Sequence, residues 1–86
     1  MRHVEATKAR SELGRAVAGE VRAELARQRR SYTWLADQIG TSFYYVSRRL
    51  RGDIGMTLDD VAVFAQALNV EPEAFLGTTA PRAVAQ

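Results

Sequence analysis

The sequence contains no cysteine. That excludes a disulfide staple, a thiolate zinc site and a thiol nucleophile. Histidine occurs once, at His3 in the N-terminal stretch, and reads as a solvated residue rather than a base or a ligand. No apolar run exceeds Val61-Ala62-Val63-Phe64-Ala65, far short of the roughly 20 residues of a membrane span. Residues 1–10 lack the apolar stretch of a secretory signal, and their basic residues alternate with acids. A soluble protein of the cytoplasm is therefore expected. Internal repeats, low-complexity blocks and alternating strand patterns are missing as well. With 86 residues, 47% of them apolar and 26% charged, the chain suffices for one small core and not for two.

Charge is divided unevenly along this length. Residues 1–56 hold 11 Lys/Arg against 6 Asp/Glu, and residues 57–86 hold 1 against 4. The front is thus basic by five and the back acidic by three, which suits a polyanion on one side of the molecule and equally a solvated surface.

Helical periodicity organises the rest. From Ser11 the apolar positions Leu13, Val17, Val21 and Leu25 fall four apart, one stripe of a helix over about 12–29. Ser31 reads as an N-cap opening a short helix with Leu35, Ala36 and Ile39, and Gly40 closes it. Ser42 caps a third helix from Phe43 to about Leu50, with Val46 and Leu50 inward, and Gly52 follows it. Thr57 to Asp60 resembles a capping box. It starts a fourth helix over about 58–68, expected to bury Leu58, Val61, Phe64, Ala65 and Leu68, with Asn69 at its end. Pro72 opens a last short helix, 72 to about 76, anchored by Phe75 and Leu76. The fold class is all-α. Residues 1–10 form an N-terminal extension or the start of the first helix, residues 11–77 the domain, and residues 78–86 a tail.

Two helices of about eight residues joined through Gly40-Thr41 have the dimensions of a helix-turn-helix. At this point residues 14–76 resemble the lambda-repressor-like (XRE, Cro/CI type) helix-turn-helix family. The resemblance is carried by Leu35-Ala36, Ile39-Gly40, Val46-Ser47, Gly52, Leu58, the run Ala65-Gln66-Ala67-Leu68-Asn69-Val70, and Phe75-Leu76. It implies a compact five-helix domain whose helix 3 enters the major groove of double-stranded DNA while helix 2 crosses the backbone. With Val46 and Leu50 inward, the outward face of helix 3 carries Phe43, Tyr44, Ser47 and Arg48. Matched to the family pattern, Phe43, Tyr44 and Arg48 fall where base-contacting side chains sit, with Ser47 beside them. Arg48 can pair with guanine O6/N7, Phe43 suits a thymine methyl, and Tyr44 offers a ring or a hydroxyl. Relatives often carry polar amides here, so this chain's site preference cannot be borrowed from them.

The alternative for the aromatics, five of which lie between residues 32 and 45, is a core role. A domain this small cannot bury all five beside its aliphatic stripe, so Phe43 and Tyr44 are expected outside and Trp34 half-buried between helices. Phosphate contacts are expected around that centre. Ser31 and Ser42 sit at helix starts, which favour anions. Tyr32 and the Thr57 amide match phosphate-touching positions of the resembled family, and Arg51, Arg49 and Arg30 supply cations. Many relatives also pair an Arg on helix 1 with a Glu near the end of helix 3. Those positions are Leu25 and Leu50 here, and the two leucines are expected to meet in the core.

The function these residues imply is a sequence-specific, double-stranded DNA-binding transcriptional regulator. It would be a repressor of phage or prokaryotic type, working as a homodimer on a pseudo-palindromic operator, with Phe75, Leu76 and the tail as self-contact. The alternative is an antitoxin or another helix-turn-helix module whose main partner is a protein. No enzyme activity, cofactor or metal is expected. Asp59-Asp60 and Glu71/Glu73 lie at helix starts, where acids offset the helix dipole, and neither a Gly-rich phosphate loop nor zinc spacing occurs.

Overall fold

Hydroxyl caps set where each helix begins. In the computed structural model, which describes residues 11–77, α1 spans Glu12–Gln28 and Ser11 Oγ accepts from the Gly14 amide at 2.9 Å. The second helix, α2, spans Tyr32–Ile39, where Ser31 Oγ accepts from the Trp34 amide at 2.9 Å. Next comes α3, Phe43–Leu50, with Ser42 Oγ accepting from the Tyr45 amide at 3.1 Å. Finally α4 spans Leu58–Leu68 behind a full capping box of Thr57 and Asp60. Each such cap contributes about 1 kcal/mol. Among the described residues all regular structure is helical, with four α-helices and no strand.

The helix ends follow from left-handed residues. Arg29 (φ 58°) closes α1 and Asn69 (φ 60°) closes α4, so α1 stops one residue short of the expected 29. Gly40 adopts φ 73°, a conformation that costs residues with a Cβ about 1 kcal/mol. The Thr41 amide then bonds back to the Ala36 carbonyl at 2.9 Å. Only residues 40–42 connect α2 to α3, and the two helices pack directly on each other.

The expected fifth helix is instead a 3-10 turn over Pro72–Phe75. Four residues led by a proline, with no side-chain cap, do not repay the cost of an α-helical nucleus. The expectations for residues 1–10 and 78–86 lie outside the described residues.

One core holds these elements together. Val17, Val21 and Leu25 of α1 meet Leu35 and Ala36 of α2, Val46 and Leu50 of α3, Phe64, Ala65 and Leu68 of α4, and Phe75. Full burial of a side chain of this size stabilises the domain by about 1.5–3 kcal/mol. Leu25 and Leu50 are both buried in this cluster, an apolar pair in place of an ion pair. The expected burial of Leu58 fails, and that of Val61 holds only in part, since it is half-buried against the core. Leu58 is 87% exposed and Leu13, at the start of the α1 stripe, is 50% exposed, both in the first turn of their helices. Phe75 fills its own domain's core, so it is not a surface for self-contact.

Polar ties join the helices across this core. A guanidinium N–H of Arg22 on α1 donates to the Leu50 carbonyl at the end of α3 at 2.5 Å. Gln28 donates to the Leu68 carbonyl at the end of α4 at 2.8 Å. Both satisfy carbonyls that a helix terminus leaves without an intrahelical donor. No helix among the described residues is long and apolar enough to cross a membrane.

Candidate nucleic-acid interface

The amphipathic register of α3 decides what it shows. Val46 and Leu50 fix its inner face, and the residues on the opposite side project outward. Tyr44 is 70% exposed, and Phe43, at the very start of the helix, is 48% exposed. Arg48, one turn beyond Tyr44, is also exposed, and α3 contains no acidic residue. Isolated in water, two large exposed rings side by side are an unfavourable use of apolar surface.

The rings form a row. Tyr32, at the start of α2, has its ring centroid 6.2 Å from that of Phe43, tilted by 34°. Phe43 in turn stands 6.2 Å from Tyr44 in an edge-on arrangement. Such contacts hold the side chains in defined positions and add about 0.5–1.5 kcal/mol per pair. The α2–α3 turn therefore brings Tyr32 of one helix next to Phe43 of the other, although eleven positions separate them.

Around this row lie helix starts and cations. Ser31 and Ser42 are exposed caps, each with its hydroxyl accepting from a backbone amide. The first amides of the two helices have no acceptor within their own helix, and neither first turn carries an acid. Arg51 follows α3 and pairs with Asp53 at 2.6 Å, both side chains more than half exposed. An exposed pair of this kind is worth at most about 1 kcal/mol, so a phosphate can displace the carboxylate. Arg30 lies over the Trp34 ring, 4.4 Å from its centroid, with Trp34 half-buried.

Three expected site residues are placed differently. Ser47 is 2% exposed. It shares the inner side of α3 with Val46 and Leu50, not the outward face. Arg49 is not a solvent-facing cation: its Nε donates to Asp60 Oδ2 at 3.0 Å and its guanidinium lies 3.6 Å from the Tyr45 ring centroid. The Thr57 amide donates to Asp60 Oδ2 at 3.0 Å, and Thr57 Oγ1 accepts from the Asp60 amide. The Thr57 amide is therefore committed to the capping box, with a carboxylate where a phosphate was expected.

Asp60 is the residue that sequence reasoning valued too little. Its carboxylate is buried and accepts from the Tyr45 hydroxyl, Arg49 Nε and the Thr57 amide. Burial alone raises its pKa, but the hydrogen bonds from Tyr45, Thr57 and Arg49 outweigh that and hold it below the ordinary carboxylate value. In the other direction, the bond to Asp60, reinforced by burial, pushes the Tyr45 hydroxyl above the ordinary phenol value. The capping-box half of this role was legible from Thr57 and Asp60 alone. The tie to α3 was not, since it depends on the fold bringing Asp60 within reach of Tyr45 and Arg49.

Comparison with known proteins adds one relationship. Residues 13–85 match the family model described as BetR domain, a small helical domain compatible with a regulatory, DNA-binding role. Searches of curated proteins and of solved structures each found no match.

Proposed function

The chain belongs to the BetR domain family, and on that premise we propose that it is a sequence-specific DNA-binding transcriptional regulator of the lambda-repressor-like helix-turn-helix type. The observation that carries this reading is the outward face of α3, where Phe43, Tyr44 and Arg48 stand exposed beside two uncapped-by-acid helix starts. An α-helix fits the major groove, whose base edges carry the full donor, acceptor and methyl pattern.

In this reading α2 and α3 are the helix-turn-helix, with α3 in the groove and α2 across the backbone. Arg48 donates two hydrogen bonds to guanine O6 and N7, worth about 1–3 kcal/mol of discrimination. Phe43 has neither donor nor acceptor, so its contact is apolar and falls on a thymine methyl. Tyr44 extends the same apolar strip or turns its hydroxyl to a base edge. Tyr32, Arg51 and the first-turn amides after Ser31 and Ser42 hold the flanking phosphates and fix the register.

A single α3 reads too few base pairs to be selective in a genome. A homodimer on a two-fold operator, with half-sites about 34–36 Å apart, supplies the rest. Repression in the cytoplasm, by occupying such an operator, is the corresponding activity. The role is one of binding and assigns the chain no reaction.

Selection of bound duplexes from a random pool tests this reading. Two-fold related half-sites at one-turn spacing are expected, each containing a guanine next to thymines. Loss of that enrichment with Arg48→Ala supports the assignment of α3. Unchanged affinity for both selected and random duplexes in that variant refutes it.

A further inference from the structure

α3 carries three arginine-rich positions at and after its end, yet they are not equivalent. Arg48 is exposed on the outward face. Arg51 is exposed and paired only with an exposed carboxylate. Arg49 is mostly covered, and its partner Asp60 is buried. The guanidinium of Arg49 is fixed from three sides: Nε to Asp60 Oδ2 at 3.0 Å, Nη1 to the Tyr45 carbonyl at 3.2 Å, and its plane over the Tyr45 ring.

The same carboxylate also takes the Tyr45 hydroxyl. Tyr45 and Arg49 lie one turn apart on α3, so Asp60 grips that helix at two successive turns. Its own place on α4 is fixed by the Thr57 amide within the capping box. No buried side-chain polar atom among the described residues is left without a partner. Salt competes poorly with a covered pair of this kind.

We propose that Asp60 is a positioning and specificity-determining residue: it anchors Tyr45 and Arg49 to α4, sets the pose of α3, and withholds the Arg49 charge from the DNA backbone. This rests on the reading of α3 as the duplex-contacting helix. Phosphate contacts strengthen binding to any sequence, whereas base contacts separate one sequence from another. A cation held inside the protein therefore leaves non-specific affinity lower and the specific-to-random ratio higher. Asp60 controls that ratio without touching DNA.

The test is the slope of log affinity against log salt, measured for the full chain on a random-sequence duplex and on a pool-selected duplex. Arg49→Gln is expected to leave the random-duplex slope at the wild-type value, while Arg51→Gln lowers it by about 0.9 per lost phosphate contact. Asp60→Asn keeps the size of the side chain but removes the charge and turns a donor toward other donors. It is expected to steepen the random-duplex slope by about 0.9, as Arg49 finds a phosphate, and to reduce the specific-to-random ratio.

A slope lowered by about 0.9 in Arg49→Gln would mean that Arg49 already contacts a phosphate, and would overturn the inference. So would a folded Asp60→Asn variant with unchanged slope and ratio, because a merely structural carboxylate would lower thermal stability and nothing else. Should Asp60→Asn fail to fold, the Arg49→Gln slope alone decides. A wild-type chain that binds neither duplex at any salt overturns the DNA reading itself, a result distinct from all of these.

Discussion

Replacing thymine by uracil within the bound duplex removes a methyl group and leaves every hydrogen-bonding atom of the base in place. Phe43 offers only carbon and is 48% exposed, so it has apolar surface free to cover that methyl. Burying one such group is worth about 0.8 kcal/mol, close to a fourfold change in affinity. If Tyr44, which is 70% exposed, covers a second methyl, two uracils together should cost about 15-fold. The assay is fluorescence anisotropy on a selected duplex with single uracils scanned through each half-site. One position should lose about fourfold with the wild-type chain and almost nothing with Phe43→Ala, since that variant has already lost the contact. Tyr44→Phe separates ring from hydroxyl: unchanged affinity assigns the ring, and a loss assigns the hydroxyl. Uracil tolerated at every position, or an equal penalty in Phe43→Ala, would refute the apolar reading of α3.

Other consequences concern the frame behind that face. Leu50→Ala removes a fully buried side chain from the cluster it shares with Leu25 and should cost about 2–5 kcal/mol in urea denaturation; a cost under about 1 kcal/mol would contradict its place in the core. Ser47→Gln should destabilise the fold by about 1–3 kcal/mol through overpacking, whereas a groove-facing residue would accept the change with no loss in melting temperature. Asp60 has a folded-state pKa below its unfolded value, so its stabilisation is present above the unfolded value of about 4 and is lost as pH falls through the folded one. Melting temperature measured on descending from pH 5 should therefore drop more in wild type than in Asp60→Asn, and parallel curves would deny Asp60 that role.

What could be read from the residues divides by distance along the chain. Ser11, Ser31, Ser42 and Thr57 announce the four helix starts because a cap bonds within three residues. Gly40 and Asn69 mark ends for the same local reason. The stripes through Val17, Val21, Leu25, Val46 and Leu50 gave the core, since helical spacing places them on one face. Periodicity says which residues share a face, and it is silent on how far a neighbouring element extends. That is why Leu13 and Leu58 continue their stripes and still meet water. The site divides in the same way. Tyr44 and Arg48 face outward as the register of α3 requires, whereas Phe43 lies near Leu50 on the wheel and is exposed as the first residue of the helix. The burial of Ser47 depends on the helices packed against α3, and the capture of Arg49 on the Asp60 carboxylate. An arginine beside another arginine gives no sign in sequence of which one a distant aspartate will hold.

The identity of the groove and of the reading helix can be settled with two modified bases. Guanine and 7-deazaguanine differ only at N7, an acceptor in the major groove, whereas inosine lacks the N2 amino group that lies in the minor groove. Affinity for the selected duplex should fall with 7-deazaguanine at a single position, by the roughly 1–3 kcal/mol of a bidentate contact or a large part of it. It should not fall with inosine there, and Arg48→Ala should erase the difference. A penalty from inosine instead, or a 7-deazaguanine penalty that persists in Arg48→Ala, would contradict the placement of α3 in the major groove.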